Sequence, residues 1–166
     1  MKILVFDPAL SADEAQREGV IAVERDAILA KSDYICLLCP LLPSTRGMLA
    51  AEQFSKMKPG CVLINTGRGE LVDEAALVEA LRCGTIRYAA LDVFAGINVF
   101  KPDGFATDHP LFGLDNVLLT PHVAAYSEES LEEARRRGAQ AVVEVLSGRW
   151  PQHPVNPQVK PWFPIQ

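Results

Sequence analysis

The sequence predicts an α/β protein in which helices cover a parallel sheet. Short apolar segments alternate with segments of helical periodicity along the 166 residues. The apolar segments show little alternation between apolar and polar residues, which is typical of strands buried on both faces. Hydrophobic residues make up 49% of the chain and charged residues 22%, a balance that favours a globular domain over a disordered chain.

Five strands are predicted from short runs of apolar residues. The first run stops at Asp7-Pro8 and the second at Pro40, where a strand cannot continue. Helical segments separate the runs, so we expect parallel strands joined by helical crossovers. The five runs are Lys2–Phe6, Tyr34–Cys39, Cys61–Asn65, Ile86–Phe94 and Asn116–Leu119.

Four helices are predicted between and after these strands. Asp73 occupies an N-cap position, and Gly84 follows the same helix as its C′ residue. Ser127 is expected to cap the last and longest helix, which ends before Ser147 and Gly148. The predicted helices are Glu24–Lys31, Ala50–Met57, Glu74–Cys83 and Glu128–Leu146.

The sequence predicts one domain over residues 1–149, followed by a tail over residues 150–166. The tail contains five prolines, which favour an extended segment over a packed helix or strand. Trp150, Trp162 and Phe163 lie in this tail and indicate that it docks onto a surface.

Charge and composition exclude several classes of function. A net charge of −5 argues against non-specific binding to nucleic acid, which needs clustered positive charge. The chain has no apolar run of the ~20 residues that a membrane helix needs, and the apolar start Met1–Phe6 is too short for a signal peptide. Four cysteines in 166 residues fit a reducing compartment, so we expect a cytoplasmic protein.

Cys36 and Cys39 have the C-x-x-C spacing found in metal and redox sites. Cys61 and Cys83 form no second pair with that spacing, and no histidine is spaced as a partner. We therefore predict buried structural thiols and no metal. A thiol or metal site at Cys36 and Cys39 is the weaker alternative.

Parallel α/β sheets bind ligands at the carboxyl ends of their strands, so the residues after each strand are candidate site residues. Asp7 is placed to bind a ribose diol, or else is a turn residue. Arg68 lies between Gly67 and Gly69, where its guanidinium could bind a carboxylate or be solvated in a flexible turn. His122 follows the last strand and is either a general acid or a side chain packed under the long helix.

Several motifs in consecutive order resemble the D-isomer-specific 2-hydroxyacid dehydrogenases, a family that includes phosphoglycerate, glyoxylate and D-lactate dehydrogenases. The resemblance runs from Met1 to about Pro157, and Tyr126-Ser127-Glu128 is most similar to the branch with the C-terminal binding protein corepressors. The motifs are Cys39–Thr45 (CPLLPST), Met57–Glu74 (MKPGCVLINTGRGELVDE), Ala89–Phe94 (AALDVF), Asp108–Phe112 (DHPLF) and Asn116–Glu129 (NVLLTPHVAAYSEE).

The resemblance implies a Rossmann-type NAD-binding domain and the interconversion of a 2-keto acid and a 2-hydroxy acid. Arg68 would hold the substrate carboxylate, and His122 would donate a proton to the carbonyl oxygen. Asp7 would bind the adenosine ribose and favour NAD over NADP, because a carboxylate repels a 2′-phosphate. The loop Cys39–Thr45 would line the adenine. The implied cofactor-binding residues are Asp7, Cys39, Pro40, Thr45, Thr66, Gly67, Arg68, Asp92, His122, Ala124 and Ala125.

The chain departs from the family pattern before its first predicted strand. Family members place a strand, a GxGxxG fingerprint and a helix there, and this sequence contains no such fingerprint. We therefore expect an N-terminally truncated, incomplete doubly wound sheet without its first strand and glycine-rich loop. The absent strand is central in the usual strand order of the family. We therefore expect unpaired edges at Lys2–Phe6 and Cys61–Asn65, and a rearranged or partner-dependent fold.

A second departure concerns the glutamate that partners the histidine in the family. The family places Glu-Pro shortly after the motif that is Asp92–Phe94 here, but this stretch reads AGINVFKP and has Lys101 before the proline. Asp103 and Asp108 are the acids that might substitute for the glutamate. Without a carboxylate partner, His122 would be protonated less often at neutral pH, which would weaken proton donation.

These observations lead to two expectations of function. The first is an NAD-linked 2-hydroxyacid dehydrogenase, impaired or inactive as the isolated chain and paired as a homodimer. The second is a non-catalytic module for dimerisation or protein interaction, similar to the corepressor branch. The expected partner is a small 2-hydroxy or 2-keto acid, with neither nucleic acid nor membrane.

Overall fold

A computed structural model describes residues 1–97 and 108–159 of the chain. These residues belong to two compact units, Met1–Ala124 and Ala125–Gln166. The first unit contains every strand and all the helices except the last, and the second contains the long helix and the tail. In the described ranges, none of the helices has the length and apolar character needed to cross a membrane.

The described residues of the first unit form six strands arranged in two parallel sheets. Two strands form one sheet, and the other four form a second sheet in the order β3-β4-β5-β6. The predicted parallel α/β fold is therefore confirmed. The strands are β1 (Leu4–Val5), β2 (Ile21–Ala22), β3 (Tyr34–Leu37), β4 (Cys61–Asn65), β5 (Ile86–Leu91) and β6 (Val117–Leu119).

The four predicted helices are confirmed, with ends that differ from the prediction by at most two residues. Asp73 accepts a hydrogen bond from the Ala76 amide at 3.1 Å, and Gly84 has a φ of 76°, as expected for the two ends of one helix. The Ser127 hydroxyl accepts from the Ser130 amide at 3.1 Å. The helices are α1 (Ala12–Arg17), α2 (Arg25–Lys31), α3 (Ala51–Ser55), α4 (Glu74–Arg82) and α5 (Glu128–Leu146), with 3₁₀ turns at Gly69–Leu71 and Pro110–Gly113.

The sequence analysis missed α1 and β2, which lie between the first two predicted strands. A signal for α1 is present, because Ser11 and Glu14 form a capping box: the Glu14 carboxylate accepts from the Ser11 amide at 3.0 Å. Strand β2 is only two residues long and both are exposed, so it has little apolar pattern to detect.

The structure corrects one of the two predicted sheet edges. Cys61–Asn65 is hydrogen-bonded to a strand on each side, because β3 and β5 both pair with it. Within the described residues, the edge strands are β1 and β2 in one sheet and β3 and β6 in the other, so the predicted edge at Lys2–Phe6 is found and the second lies at β3 instead of Cys61–Asn65. The prediction failed because it placed Cys61–Asn65 directly beside the absent strand, and Tyr34–Leu37 occupies that place.

The prediction that both faces of the strands are covered is wrong for the four-stranded sheet. On one face Ile35, Leu63 and Ala89 lie side by side and are buried. On the other face Tyr34 and Tyr88 flank Val62 and are 66% and 48% exposed. Because both sets are apolar, hydropathy could not distinguish the two faces. The core packs on the buried face, where α4 contributes the fully buried Leu77 together with Val78 and Leu81.

The second unit contains α5 and the tail. Glu133 accepts hydrogen bonds from Arg136 and Arg137 on the same helix. These bonds lower the pKa of Glu133 to about 2. Residues 150–159 contain neither helix nor strand, as predicted, and Trp162 and Phe163 lie outside the described residues.

Candidate active site

A cavity of about 330 Å³ opens at the carboxyl ends of β4, β5 and β6. Three predicted site residues line it, one from each strand end: Arg68, Asp92 and His122. The structure therefore brings the proposed carboxylate-binding arginine and the proposed acid into one pocket. The other lining residues are Gly69, Glu70, Val93, Phe94, Gly96 and Ile97.

The backbone around Arg68 is held by the side chain of Asn65, which is only 1% exposed. The Gly67 amide donates to Asn65 Oδ1 at 3.0 Å, and Asn65 Nδ2 donates to the Arg68 carbonyl at 2.9 Å. One buried amide side chain thus closes the turn after β4. The exposed Arg68 side chain extends from this fixed turn, and its Nη1 donates to the Gly67 carbonyl at 2.7 Å.

The two glycines beside Arg68 are required by close backbone packing within the protein. A Cβ on Gly69 would lie 2.1 Å from the carbonyl carbon of Phe94 and 2.3 Å from the Ala95 nitrogen. A Cβ on Gly67 would lie 3.2 Å from the carbonyl oxygens of Leu37 and Cys39. The turn carrying Arg68 is therefore packed against the ends of β3 and β5.

Asp92 is a buried carboxylate that organises the loop after β6. Its side chain accepts hydrogen bonds from the Thr120 hydroxyl and from the Val123 and Ala124 amides, both at 2.9 Å. Burial by itself raises the pKa of Asp92. The hydrogen bonds from Thr120, Ala124 and Val123, together with the charge of His122, outweigh burial and leave the pKa below its ordinary value. Asp92 is therefore an anion that fixes this loop.

His122 lies at the start of this loop in a left-handed backbone conformation, with a φ of 57°. Its amide donates to the carbonyl oxygen of Asp92 at 2.9 Å. A non-glycine residue in this region is uncommon and needs surrounding contacts to hold it there. The bonds to Asp92 supply them, and they place a half-buried imidazole on the cavity wall.

Asp7 lies two residues after the end of β1 and is exposed. Its Oδ1 accepts a hydrogen bond from the Ala9 amide at 2.8 Å, which is an Asx turn. This Asx turn engages one of the two carboxylate oxygens of Asp7.

The loop after β3 contains Cys39, Pro40 and Thr45, and Thr45 holds its two ends together. The Thr45 hydroxyl donates to the Pro40 carbonyl at 2.7 Å and accepts from the Leu42 amide at 2.8 Å. The loop therefore has a defined shape at the carboxyl end of β3. This places it on the same edge of the sheet as the turn carrying Arg68.

Of the remaining predicted residues, those that the structure describes do not line the cavity. Thr66 is half-buried and directly follows β4. Ala124 contributes its amide to Asp92, whereas Ala125 is the first residue of the second unit. Asp103 and Lys101 lie outside the described residues, and Asp108 is exposed.

The cysteines are free thiols in distinct environments. Cys36 is exposed, whereas the half-buried Cys39 contacts the Met48 sulfur at 3.7 Å. Cys61 is buried, and burial raises the pKa of its thiol. The prediction that all are buried is therefore wrong for Cys36 and Cys83, which are exposed. Residues 1–97 and 108–159 contain no group of three or more potential ligands that could hold a metal ion.

The sequence did not indicate the roles of three side chains that support the site. Asn65 and Thr120 were within the recognised motifs, but nothing in the sequence indicated which atoms they would bind. Glu74 was predicted only as the first residue of a helix, yet its carboxylate accepts from the Ala95 amide at 2.7 Å. Glu74 and Ala95 lie 21 positions apart, and a contact over that distance leaves no periodic signal in the sequence.

Comparison with known proteins gives a consistent result. Residues 1–124 match the sequence model described as D-isomer specific 2-hydroxyacid dehydrogenase, NAD binding domain. D-3-phosphoglycerate dehydrogenase from Archaeoglobus fulgidus is 38% identical over 162 residues, covering 97% of this chain and 30% of that protein.

Solved structures agree with these sequence matches. The crystal structure of D-lactate dehydrogenase with NAD⁺ from Lactobacillus jensenii matches at a TM-score of 0.84 and 32% identity, over 93% of this chain and 48% of that one. D-lactate dehydrogenase from Aquifex aeolicus, complexed with NAD and lactic acid, matches at 0.78 and 35% identity, over 89% and 47%.

The chain thus spans between 30% and 48% of the length of these relatives. Their names are those of oxidoreductases, so the matches favour a dehydrogenase over the non-catalytic interaction module. Both the matched residues and the pocket at the strand ends lie within the first unit. The chain belongs to the D-isomer-specific 2-hydroxyacid dehydrogenase family, and residues 1–124 are its NAD-binding domain.

Proposed function

We propose that this chain provides the cofactor-binding half of the active site in an NAD-dependent enzyme that interconverts a 2-keto acid and a D-2-hydroxy acid. One observation supports this proposal above the others: Arg68 and His122 line the same cavity. A cation for the carboxylate and a proton donor for the carbonyl are the two groups that a 2-keto acid requires.

Arg68 is suited to bind the substrate carboxylate. Its guanidinium can donate two parallel hydrogen bonds to the two oxygens of one carboxylate, a geometry that a lysine cannot reproduce. The turn that carries Arg68 is fixed by Asn65 and by the packing of Gly69. Such a fixed turn orients the bound acid before reaction.

His122 is suited to donate a proton to the carbonyl oxygen during reduction and to accept it during oxidation. An imidazole exchanges protons near neutral pH, which few other side chains do. The Asp92 carboxylate supports this role through the loop, because it binds the two amides that follow His122. In our proposal Asp92 is thus a positioning residue as well as a neighbour of the nicotinamide.

In this proposal NAD lies at the carboxyl ends of the strands. When bound, NADH supplies the hydride that reduces the keto carbon. Asp7 would bind the ribose hydroxyls, and the Cys39–Thr45 loop, whose shape Thr45 fixes, would line the adenine. Arg68 and His122 would also border the nicotinamide. The other residues proposed there are Thr66, Gly67, Asp92, Ala124 and Ala125.

Titration with NADH and with oxamate, a stable analogue of a short 2-keto acid, tests this proposal. We expect the native chain to bind NADH at micromolar concentration and, with NADH present, to bind oxamate. Arg68→Gln should weaken oxamate binding by tenfold or more, since it removes the charge-assisted pair.

Arg82→Gln is the matched control, because Arg82 is exposed on α4 and pairs with Glu79 away from the cavity. It should bind oxamate as the native chain does. Equal affinity of the native chain and Arg68→Gln would contradict the assignment of the arginine. No NADH binding at millimolar concentration would contradict the proposal as a whole for this chain.

We also propose a cytoplasmic homodimer. Free thiols at all four cysteines support a reducing compartment. The exposed Tyr34, Leu38, Tyr88 and Leu118 support self-association, since monomers rarely leave large apolar groups clustered in water. Sedimentation velocity at several concentrations tests the dimer, and a single monomeric species at high micromolar concentration would rule it out.

A further inference from the structure

Glu74 and His109 are joined by a hydrogen bond near the cavity wall. Nε2 of His109 lies 3.1 Å from Oε2 of Glu74, and the two side chains are only 13% and 15% exposed. They are far apart along the chain, since Glu74 begins α4 and His109 precedes the 3₁₀ turn Pro110–Gly113. A mostly buried pair of this kind orders the segments that it joins.

The pair is connected to the cavity by two kinds of contact. The second oxygen of Glu74 accepts from the Ala95 amide at 2.7 Å, and Ala95 lies between the lining residues Phe94 and Gly96. The ring of His109 meets the ring of Phe94 edge-on, with centroids 6.2 Å apart. Both partners therefore hold the wall segment Phe94–Ile97.

The wall segment in turn touches the turn that carries Arg68. The backbone of Phe94 and Ala95 lies so close to Gly69 that no Cβ fits between them. A displacement of the wall must therefore displace the residue next to Arg68. Through these contacts, Glu74 is coupled to the guanidinium although it does not line the cavity.

Both ring nitrogens of His109 have hydrogen-bond partners. Its Nδ1 accepts a long hydrogen bond, 3.4 Å, from the Leu111 amide, so this nitrogen carries no proton. The proton therefore resides on Nε2 and is donated to Glu74. An uncharged amide in place of the Glu74 carboxylate would offer Nε2 a competing donor and disturb this arrangement.

We propose that Glu74 and His109 are positioning residues that hold the wall segment Phe94–Ile97 against the turn of Arg68 and so set the affinity of the pocket for the substrate carboxylate. This inference rests on the proposed function, because it assumes that Arg68 binds the acid. Neither residue touches the substrate. Their effect is on the geometry of the groups that do.

Four variants test the proposal: Glu74→Gln, His109→Gln, His109→Ala and the control Glu79→Gln. Oxamate affinity is measured by calorimetry with NADH present, and ¹H–¹⁵N spectra report the amides of Gly96 and Ile97 and the tautomer of His109. Glu79 is the matched control because it is an exposed glutamate on the same helix. Thermal unfolding shows whether each variant is folded.

We expect Glu74→Gln to weaken oxamate binding about tenfold, the effect of one lost charge-assisted hydrogen bond. Its spectra should show shifted Gly96 and Ile97 amides and a His109 proton moved to Nδ1. His109→Gln should bind oxamate more tightly than His109→Ala, because the glutamine Nε2 can still donate to Glu74. If His109 only fills space, the ability of glutamine to donate to Glu74 should give His109→Gln no advantage over His109→Ala in oxamate binding.

Two results would overturn the proposal. One is an oxamate affinity within twofold of the native value in Glu74→Gln and His109→Ala variants that are folded. This result would reject the positioning role of the pair and leave the proposed function standing. The other is unmoved Gly96 and Ile97 amides in Glu74→Gln. A native chain that binds no oxamate rejects the proposed function instead, and the amide shifts then still decide whether the pair fixes the wall.

Discussion

The backbone amide of His122 donates to the carbonyl oxygen of Asp92 at 2.9 Å, so the proposed acid is attached to the end of the neighbouring strand. The Asp92 side chain binds the two amides that follow. The position of the imidazole thus depends on one buried carboxylate.

Asp92→Asn should lower the free energy of unfolding by about 1–3 kcal/mol at pH 7, because an amide nitrogen cannot accept hydrogen bonds from the loop. The pKa of Asp92 is lowered in the folded chain, so its stabilisation is complete above the ordinary pKa and is lost as pH falls through the folded pKa. The difference between native and variant should therefore shrink in acid, below about pH 4.

Urea unfolding at pH 7 and at pH 3 measures this difference. Asp115→Asn is the control, since Asp115 is an exposed aspartate near β6 and should change stability little. If the difference in unfolding free energy between the native chain and Asp92→Asn stayed constant from pH 7 to pH 3, the charge of Asp92 would not be the source of the stabilisation.

Gly69→Ala should destabilise the first unit by about 1–3 kcal/mol or more, the usual effect of forcing an added methyl into a packed site. The added carbon would meet the backbone of Phe94 and Ala95, which cannot rotate away as a side chain can. Gly113→Ala is the control, because nothing lies within 4 Å of its Cβ position. Thermal unfolding of both variants is sufficient, and equal melting temperatures would refute the close contact.

Asn65→Ala should weaken oxamate binding and also destabilise the chain by about 2 kcal/mol, because it leaves the Gly67 amide and the Arg68 carbonyl without their buried partner. Asn116→Ala removes an amide that also donates to two backbone carbonyls, but far from the cavity. That control should lose stability and keep oxamate affinity. If both variants lose affinity equally, the turn after β4 has no special part in binding.

Asp7→Ser should reduce the preference for NADH over NADPH by about tenfold, since it removes the charge that repels a 2′-phosphate. Serine can still bind the Ala9 amide and preserve the turn after β1. Parallel titrations with the two cofactors give the ratio. Asp13→Ser on the exposed side of α1 provides the control, and an unchanged ratio in Asp7→Ser would show that Asp7 is a turn residue alone.

Sequence patterns were sufficient for the elements with strong local signals. α5 begins and ends at the predicted residues because Ser127 caps it and glycine follows it. The opposite case is β2, whose two residues are defined by hydrogen bonds to β1 and not by their own pattern. The open edge at β3 was missed for a related reason: strand neighbours depend on pairing across the whole sheet.

The candidate site likewise contains residues that the sequence indicates and residues that it does not. Arg68 and His122 were recognisable because they follow strands within motifs, and the structure places them in one cavity. The contact of Glu74 with Ala95 and His109 joins residues 21 and 35 positions apart. Only the folded backbone brings such residues together, so neither periodicity nor spacing could indicate them.

Strands β3 to β6 stand in the sheet in the same order as in the chain. Each strand can therefore add beside one that is already in place, without waiting for a distant segment to return. A sheet of this kind can grow by one strand and one crossover at a time while the ribosome is still extending the chain. The cavity, which needs the ends of β4, β5 and β6, would be completed last.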